Sequence, residues 1–223
     1  MALALLLFAA GASADEKLVT DPVPYILDAE SASPRYVVIL FPGGTGQVNP
    51  RLMNGKLTYG FRGNFLVRSR PLLVDAEFAT VTTNTTSDPG RVQALLDDLK
   101  RRYPAAKVYL MGTSNGTAAT MALAPYLSER IAGVIHTSSL SEIYRFDARQ
   151  FKNRQLIVHH KDDACRVTPF FAAEAAGRRG GADFIAMQGG VSVGNPCEAF
   201  AHHGYTGIER ETIDAIKAWI RKG

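Results

Sequence analysis

Short apolar runs alternate with helix-forming segments along this chain, and that alternation limits the folds it can adopt. The runs rich in strand-forming residues lie at 36–41, 78–83, 107–111, 131–137, 155–159 and 182–187. A run that is apolar throughout, such as Tyr36–Phe41, suits a strand that is buried on both faces of a parallel sheet. Strands separated by helices imply right-handed βαβ units. We therefore predict an α/β fold with a mostly parallel central sheet and helices on both faces.

The segments between these runs carry helix signals. Asp88 and Pro89 supply an N-cap and a first-turn proline, and apolar residues after them recur on one helix face. Further helices are expected over residues 64–79, where Pro71 should cause an interruption, from the glycine-rich turn after 107–111 to about residue 127, after residue 169, and over 208–222. Residues 15–34 indicate an irregular or edge-strand segment, and residues 48–63 a long loop.

Chain length and charge narrow the functional classes. At 223 residues the chain can bury a substantial core but is too short for two ordinary domains, so we predict a single domain over residues 15–223. The net charge of +4 comes from Lys and Arg residues spread along the chain, with one compact cluster at 100–102. Because no basic face is interleaved with aromatic residues, we expect no nucleic-acid partner. The sequence leaves the oligomeric state open.

The first residues have the pattern of an export signal. Residues 2–14 contain no charge and end in Ala12-Ser13-Ala14, a small-residue cleavage pattern. The segment is too short to span a bilayer core of about 30 Å as a helix. We therefore predict a signal peptide over residues 1–14, an exported mature protein (periplasmic or secreted) with no stable membrane span, and an oxidising environment for its cysteines.

The segment after the 107–111 run carries the strongest chemical signal. Residues 112–116 read Gly-Thr-Ser-Asn-Gly, and good helix formers follow. A G-x-S-x-G sequence between a strand and a helix is typical of a sharp turn that exposes the serine hydroxyl at the sheet edge. The N-terminus of the following helix presents free N–H groups and a positive dipole end there. This pattern predicts Ser114 as a nucleophile that attacks carbonyl carbon.

Candidates for the acid and the base follow later strands. Asp162 and Asp163 come just after the 155–159 run, and His202 and His203 lie in a loop before the last helix. The chain order Ser, Asp, His is the order of an α/β-hydrolase triad. In a parallel sheet, the segments that follow the strands meet at one edge, so these groups are expected to lie together.

With these motifs, the chain resembles small α/β-hydrolases of the dienelactone-hydrolase-like type over about residues 35–223. The resemblance rests on residues 41–46 (FPGGTG), 112–116 (GTSNG), 159–163 (HHKDD) and 203–205 (HGY). It implies an α/β-hydrolase fold. Because the family often has H-G-x-x-D at the acid and His-Gly-aromatic at the base, it favours Asp163 over Asp162 and His203 over His202.

The resemblance also implies an oxyanion hole. One donor should be the backbone N–H of Asn115, directly after the nucleophile. The second should come from the glycine-rich loop, with Gly44 and Thr45 as the alternatives, because Pro42-Gly43 stands where the family often has His-Gly. Only about 20 residues separate the strands near Ile135 and Leu156, so we expect no large cap domain and an open site.

These expectations describe an exported serine hydrolase that cleaves an ester or related acyl substrate without a cofactor. Peptidase, thioesterase and acyltransferase activities remain open, because the fold does not fix the acyl donor. The alternatives from other classes are a binding protein that keeps the fold without the chemistry and a zinc hydrolase that uses the His and Asp residues. The spacing of these residues fits no standard local zinc motif, so we expect no metal site.

If this triad forms, the two cysteines should pair. Cys165 lies two residues after Asp163 and Cys197 lies six before His203, so both loops would converge at the same sheet edge. With the export signal, this proximity predicts a disulfide that fixes the acid loop relative to the histidine loop. His136 and His159 are expected to be buried strand histidines, and Arg62, Arg68 and Arg70 to lie on a solvated helix face.

Overall fold

An eight-stranded sheet forms the centre of the computed structural model, which describes residues 15–223. The predicted signal peptide, residues 1–14, lies outside the described residues. The ten strands of the described chain are β1 (Asp15–Val19), β2 (Tyr25–Ala29), β3 (Tyr36–Phe41), β4 (Arg51–Met53), β5 (Lys56–Thr58), β6 (Phe78–Thr83), β7 (Lys107–Thr113), β8 (Gly133–Thr137), β9 (Arg154–His160) and β10 (Asp183–Met187).

The strand order in the large sheet is β1-β2-β6-β3-β7-β8-β9-β10. The strands from β6 to β10 pair in parallel, whereas β1 and β2 pair antiparallel at one edge. All six residues of β3 are buried, as a strand covered on both faces requires. The predicted mostly parallel sheet is confirmed. Residues 15–34, expected to be an irregular or edge-strand segment, supply two regular strands, of which β1 is the edge strand.

In the described part of the chain, six α-helices flank the sheet: α1 (Phe65–Arg68), α2 (Arg70–Leu73), α3 (Pro89–Arg102), α4 (Gly116–Leu127), α5 (Phe170–Arg179) and α6 (Glu209–Arg221). The side chain of Asp88 caps α3 by accepting from the N–H groups of Gly90 and Arg91. The apolar stripe of α3 and part of α4 pack on one face of the sheet, and α1, α2 and α6 pack on the other. No helix within residues 15–223 is long and apolar enough to cross a membrane.

Two segments differ from the sequence prediction. The helix expected over residues 64–79 is two short helices, α1 and α2, with Pro71 in the first turn of the second. The long loop over residues 48–63 contains the hairpin β4–β5, turning at Asn54 and Gly55, which both have positive φ. An Asn-Gly pair suits a two-residue hairpin turn because both positions need φ above zero.

The parallel register places the functional loops at one edge. Phe41 at the end of β3 pairs with Gly112 of β7, and Thr137 at the end of β8 pairs with Val158 of β9. The connection from β8 to β9 contains only short 3-10 helices at Ser141–Arg145 and Ala148–Gln150. No cap domain within residues 15–223 therefore covers this edge.

Candidate active site

Ser114 lies at a strained turn between β7 and α4. Its φ is 52°, in the left-handed region that a serine seldom adopts. A Cβ on Gly116 would lie 2.1 Å from the carbonyl oxygen of Phe41, and one on Gly112 would lie 2.6 Å from that of Gly116. Only glycine fits at either position. The turn that the G-x-S-x-G pattern predicts is therefore present, and Ser114 lines the cavity above the sheet.

Asp163 is the buried acid of the site. Its Oδ1 accepts from the N–H of Cys165 at 3.0 Å, and its Oδ2 accepts from the Thr168 hydroxyl at 3.0 Å and lies 2.9 Å from His203 Nδ1. Burial alone would raise the pKa of this carboxyl, but hydrogen bonds from His159 and His203 hold the pKa well below its ordinary value. The carboxylate is therefore charged at neutral pH and aimed at His203.

In the pairs Asp162-Asp163 and His202-His203, the second residue is the one that lies at the site. His203 is buried, lines the same cavity as Ser114 and holds Asp163 through Nδ1. By contrast, Asp162 is exposed, and the His202 ring stacks on His160 with the centroids 4.4 Å apart. The structure thus brings Ser114, Asp163 and His203 to one place and leaves Asp162 and His202 outside the hydrogen-bond chain.

Tyr205 fixes the loop that carries His203. Its hydroxyl donates to the Val158 carbonyl at 2.9 Å and accepts from the N–H of Ser138 at 3.0 Å. The Ser138 hydroxyl in turn donates to the carbonyl of His203 at 2.7 Å. The histidine loop is therefore attached to the ends of β8 and β9. These roles of Ser138 and Tyr205 were not predicted from the sequence, although the aromatic residue after His-Gly was the available signal.

Thr168 is a further residue of the site that was not predicted from the sequence. It is fully buried, and its hydroxyl lies between Asp163 Oδ2 and His203 Nδ1, 3.0 and 3.1 Å away. The Thr168 carbonyl lies 2.9 Å from Nε2 of His159. As predicted, His159 is a buried strand histidine. Through Thr168 it contacts the loop that follows Asp163. His136 is also buried, beside Thr120 and Gln155.

The predicted disulfide between Cys165 and Cys197 is present, with the two Cα atoms 4.6 Å apart. Its first cysteine donates its N–H to Asp163, and its second cysteine lines the cavity. The bond therefore connects the loop that carries Asp163 to the segment before His203, which forms part of the cavity wall.

The glycine-rich loop after β3 lies against the nucleophile. A Cβ on Gly43 would lie 2.8 Å from the Cβ of Ser114, so the backbone can come this close only at glycine. The side chain of Asn115 donates to the carbonyl of Gly44 at 3.0 Å. Because a trans peptide directs its C=O and N–H to opposite sides, the N–H of Thr45 faces away from Asn115. Gly44 lines the cavity, and Thr45 is not among its lining residues.

Arg68 connects two walls of the cavity. Its guanidinium donates to the carbonyl of Gly63 at 2.7 Å and to that of Gly204 at 2.6 Å, and it pairs with Glu209 at 2.9 Å. Arg70 is buried and pairs with Glu16 and Asp28.

The prediction of a solvated arginine face is therefore wrong for Arg68 and Arg70, which take part in internal ion pairs. Arg62 is exposed as expected and stacks on the ring of Tyr59.

The cavity itself has a volume of about 290 Å³. Phe61 and Phe65 form an apolar part of its lining, which also includes Ser114 and His203. A pocket of this kind, with convergent polar groups beside an apolar surface, suits a small organic substrate.

Two groups of the described residues have clustered metal-ligating side chains, and one of them consists of Asp163, His203 and the disulfide-bonded Cys165. The other lies beside the site. His160, Asp162 and His202 offer ligand atoms within 4.8 Å of one another. His160, however, accepts from the N–H of Asp162 through Nδ1, and its Nε2 lies 2.8 Å from the Gly189 carbonyl. A metal ion bound to His160 here would have to displace one of these hydrogen bonds.

Solved structures of serine hydrolases and esterases have the same fold. XC6422 from Xanthomonas campestris, an α/β serine hydrolase without lid, matches with a TM-score of 0.62 at 12% identity over 94% of both chains. Est1E from Butyrivibrio proteoclasticus matches with a TM-score of 0.62 at 15% identity over 94% of this chain and 98% of its own.

A thermophilic esterase from Thermogutta terrifontis matches with a TM-score of 0.60 at 14% identity, over 94% of this chain and 99% of its own. No protein-family model matches the chain, and no curated protein matches its sequence. At such low identities the likeness establishes the fold, so the chemistry has to be argued from the residues of the site.

Proposed function

We propose that this chain, which has the α/β-hydrolase fold, is a serine hydrolase that cleaves an ester or related acyl substrate through Ser114, His203 and Asp163. The observation that carries the proposal is the 2.9 Å contact between His203 Nδ1 and buried Asp163, beside a cavity that His203 shares with Ser114. A histidine whose Nδ1 is held by a carboxylate has Nε2 free to act as a general base.

The reaction begins when Ser114 Oγ attacks the substrate carbonyl carbon and His203 Nε2 takes the hydroxyl proton. Asp163 keeps the imidazole in the required tautomer and stabilises its charged form. The tetrahedral intermediate then collapses, and His203 returns the proton to the leaving group. Water, activated by the same histidine, releases the acyl group from Ser114.

The oxyanion is stabilised by the backbone N–H groups of Gly44 and Asn115. Neither N–H is engaged in a hydrogen bond with another described residue. The orientation of the Gly44–Thr45 peptide favours Gly44 over Thr45 as the donor from the glycine-rich loop. Loss of one oxyanion donor typically lowers kcat by about 10²-fold or more.

An ester is the favoured substrate because the site is open. The short β8–β9 connection leaves the cavity uncovered. Among the matched structures, XC6422 is a hydrolase without lid, and one structure of Est1E contains bound ferulic acid. Thioester, peptide and acyl-transfer substrates use the same nucleophile and oxyanion hole, so a substrate screen should include all of them.

The decisive experiment is labelling of the purified full chain with a fluorophosphonate probe, followed by peptide mass mapping of the adduct. We expect the adduct on Ser114, and we expect Ser114→Ala and His203→Ala to abolish it. Ser141→Ala is the matched control, because Ser141 is exposed and outside the cavity lining.

Two results would redirect the assignment. Absence of labelling in the folded, disulfide-bonded protein would favour a binding protein that keeps the fold without the chemistry. Ester hydrolysis that survives Ser114→Ala and is lost with a chelator would favour a zinc hydrolase.

Export is part of the proposal. It is supported by the uncharged segment before Ala12-Ser13-Ala14 and by the disulfide, which suits an oxidising compartment. The mature protein recovered from the periplasm or the medium should begin at Asp15, and its intact mass tests this. A full-length mass in the cytoplasmic fraction alone would contradict export.

A further inference from the structure

The described lining of the cavity beside Ser114 contains one acidic residue. Among the residues that line it, Glu198 is the only Asp or Glu, and none is Lys or Arg. Its carboxylate makes no ion pair or side-chain hydrogen bond with another described residue. Glu198 is thus an exposed lining residue whose carboxylate has no protein partner among the described residues and can interact with what binds in the cavity.

The arginines of α1 and α2 make no ion pair with Glu198. Arg68 is bound to Glu209 and to two backbone carbonyls, and Arg70 is buried against acidic partners. Arg62 is exposed and stacks on Tyr59. A substrate carboxylate would therefore meet an unpaired anion in the cavity and no unpaired arginine from α1 or α2.

The backbone holds Glu198 in place. The preceding residue, Cys197, is tied to Cys165, and the N–H of Glu198 donates to the Asn195 carbonyl at 2.9 Å. The Glu198 carbonyl accepts from the N–H of Ala201 at 3.3 Å. A Cβ on Gly204 would lie 1.9 Å from the carbonyl of the next residue, Ala199, so the histidine loop packs directly against this segment.

We propose that Glu198 is a specificity-determining residue, which makes the cavity select substrates that are neutral or positively charged in the part that enters it and reject those that carry a carboxylate there. The inference rests on the proposed serine hydrolase function. Its physical basis is the Coulomb interaction between the bound substrate and the carboxylate of Glu198, which lines the cavity.

The test compares p-nitrophenyl esters with one leaving group and three acyl groups: neutral butyrate, anionic hemiglutarate and cationic γ-trimethylammoniobutyrate. Wild-type protein should show the lowest kcat/KM with the anionic ester relative to the neutral one. In Glu198→Gln, the ratio of kcat/KM for the cationic ester to that for the anionic ester should fall by about tenfold. At about 1 M salt, where the Debye length is about 3 Å, the difference between wild type and variant should shrink.

Glu211→Gln is the matched control, since it makes the same change of net charge at an exposed position outside the cavity lining. A ratio that stays unchanged in Glu198→Gln, or moves equally in Glu211→Gln, overturns the inference while butyrate turnover keeps the hydrolase assignment intact. If butyrate itself is not cleaved and Ser114 is not labelled, the proposed function fails and the inference fails with it.

Discussion

The hydroxyl of Thr168 donates to Asp163 Oδ2 at 3.0 Å, on the same oxygen that His203 Nδ1 approaches at 2.9 Å. The hydrogen bond from Thr168 therefore fixes the orientation in which the Asp163 carboxylate contacts His203. Because Thr168 and Asp163 are both buried, water cannot replace a donor that is lost.

Thr168→Val should lower kcat/KM for p-nitrophenyl butyrate by about tenfold, which corresponds to about 1.4 kcal/mol for one buried hydrogen bond to a charged group. Thr168→Ser keeps the hydroxyl and should restore most of the rate. Steady-state kinetics of both variants check this. A Thr168→Val rate close to that of wild type would contradict this role of the hydroxyl, and an equal loss in Thr168→Ser would show that the hydroxyl alone does not explain the effect.

Asp163→Asn should lower kcat by about 10³–10⁴-fold, because an amide at this position favours the wrong tautomer of His203. Asp162→Asn is the neighbouring control and should leave kcat nearly unchanged, since Asp162 is exposed and not bonded to His203. Circular dichroism would establish that both variants fold. A large loss in Asp162→Asn alone would reverse the assignment of the acid.

The disulfide should contribute to both stability and activity. Its cysteines are 32 residues apart in sequence, for which the chain-entropy estimate is about 3–4 kcal/mol. The double variant Cys165→Ser/Cys197→Ser should therefore melt about 10 °C lower. Its residual activity below the melting temperature should also fall, because Cys165 orders Asp163 and Cys197 lines the cavity. An unchanged melting temperature and activity after complete reduction would refute this role of the disulfide.

His136 should make the folded state less stable in mild acid. Burial lowers its pKa from 6.5 to about 4. Because the folded-state pKa is the lower one, between these values the unfolded chain binds a proton that the folded chain does not. Stability should therefore fall as pH drops below about 6.5, by about 2 kcal/mol at pH 5 from this residue.

Urea denaturation at pH 7 and pH 5 measures this effect. His136→Gln should reduce the difference between the two pH values, even if the variant is less stable at both. Burial also lowers the pKa of His160, so part of the pH dependence should remain. A difference that is the same in wild type and variant would contradict the assignment to His136.

The parts of the fold that the sequence predicted are those with local signals. The apolar run at Tyr36–Phe41 is buried whichever strands flank it, and Gly112 and Gly116 surround a serine that needs a tight turn. These features depend on side chains close in sequence. Strand positions and the elbow could therefore be assigned before any tertiary contact was known.

The remaining features depend on contacts between distant parts of the chain. β2 pairs with β6 at one side of the sheet, and β1 pairs with β2. No periodicity within residues 15–34 indicates this pairing, because it depends on the position of β6. Thr168 and Ser138 act on residues 35 and 65 positions away, so their roles became visible only once the loops were placed. Arg68 was misassigned for the same reason: its partners lie in a loop and helix near the C-terminus.

Arg68 also affects how the site binds its ligands. By holding the carbonyls of Gly63 and Gly204 on one planar guanidinium, Arg68 fixes the spacing between two walls of the cavity before any ligand arrives. The entropy of ordering these walls is lost during folding, so little further ordering is needed on association. The cavity should therefore discriminate among acyl groups by their shape, and a group too wide for the gap would have to break the Arg68 contacts to enter.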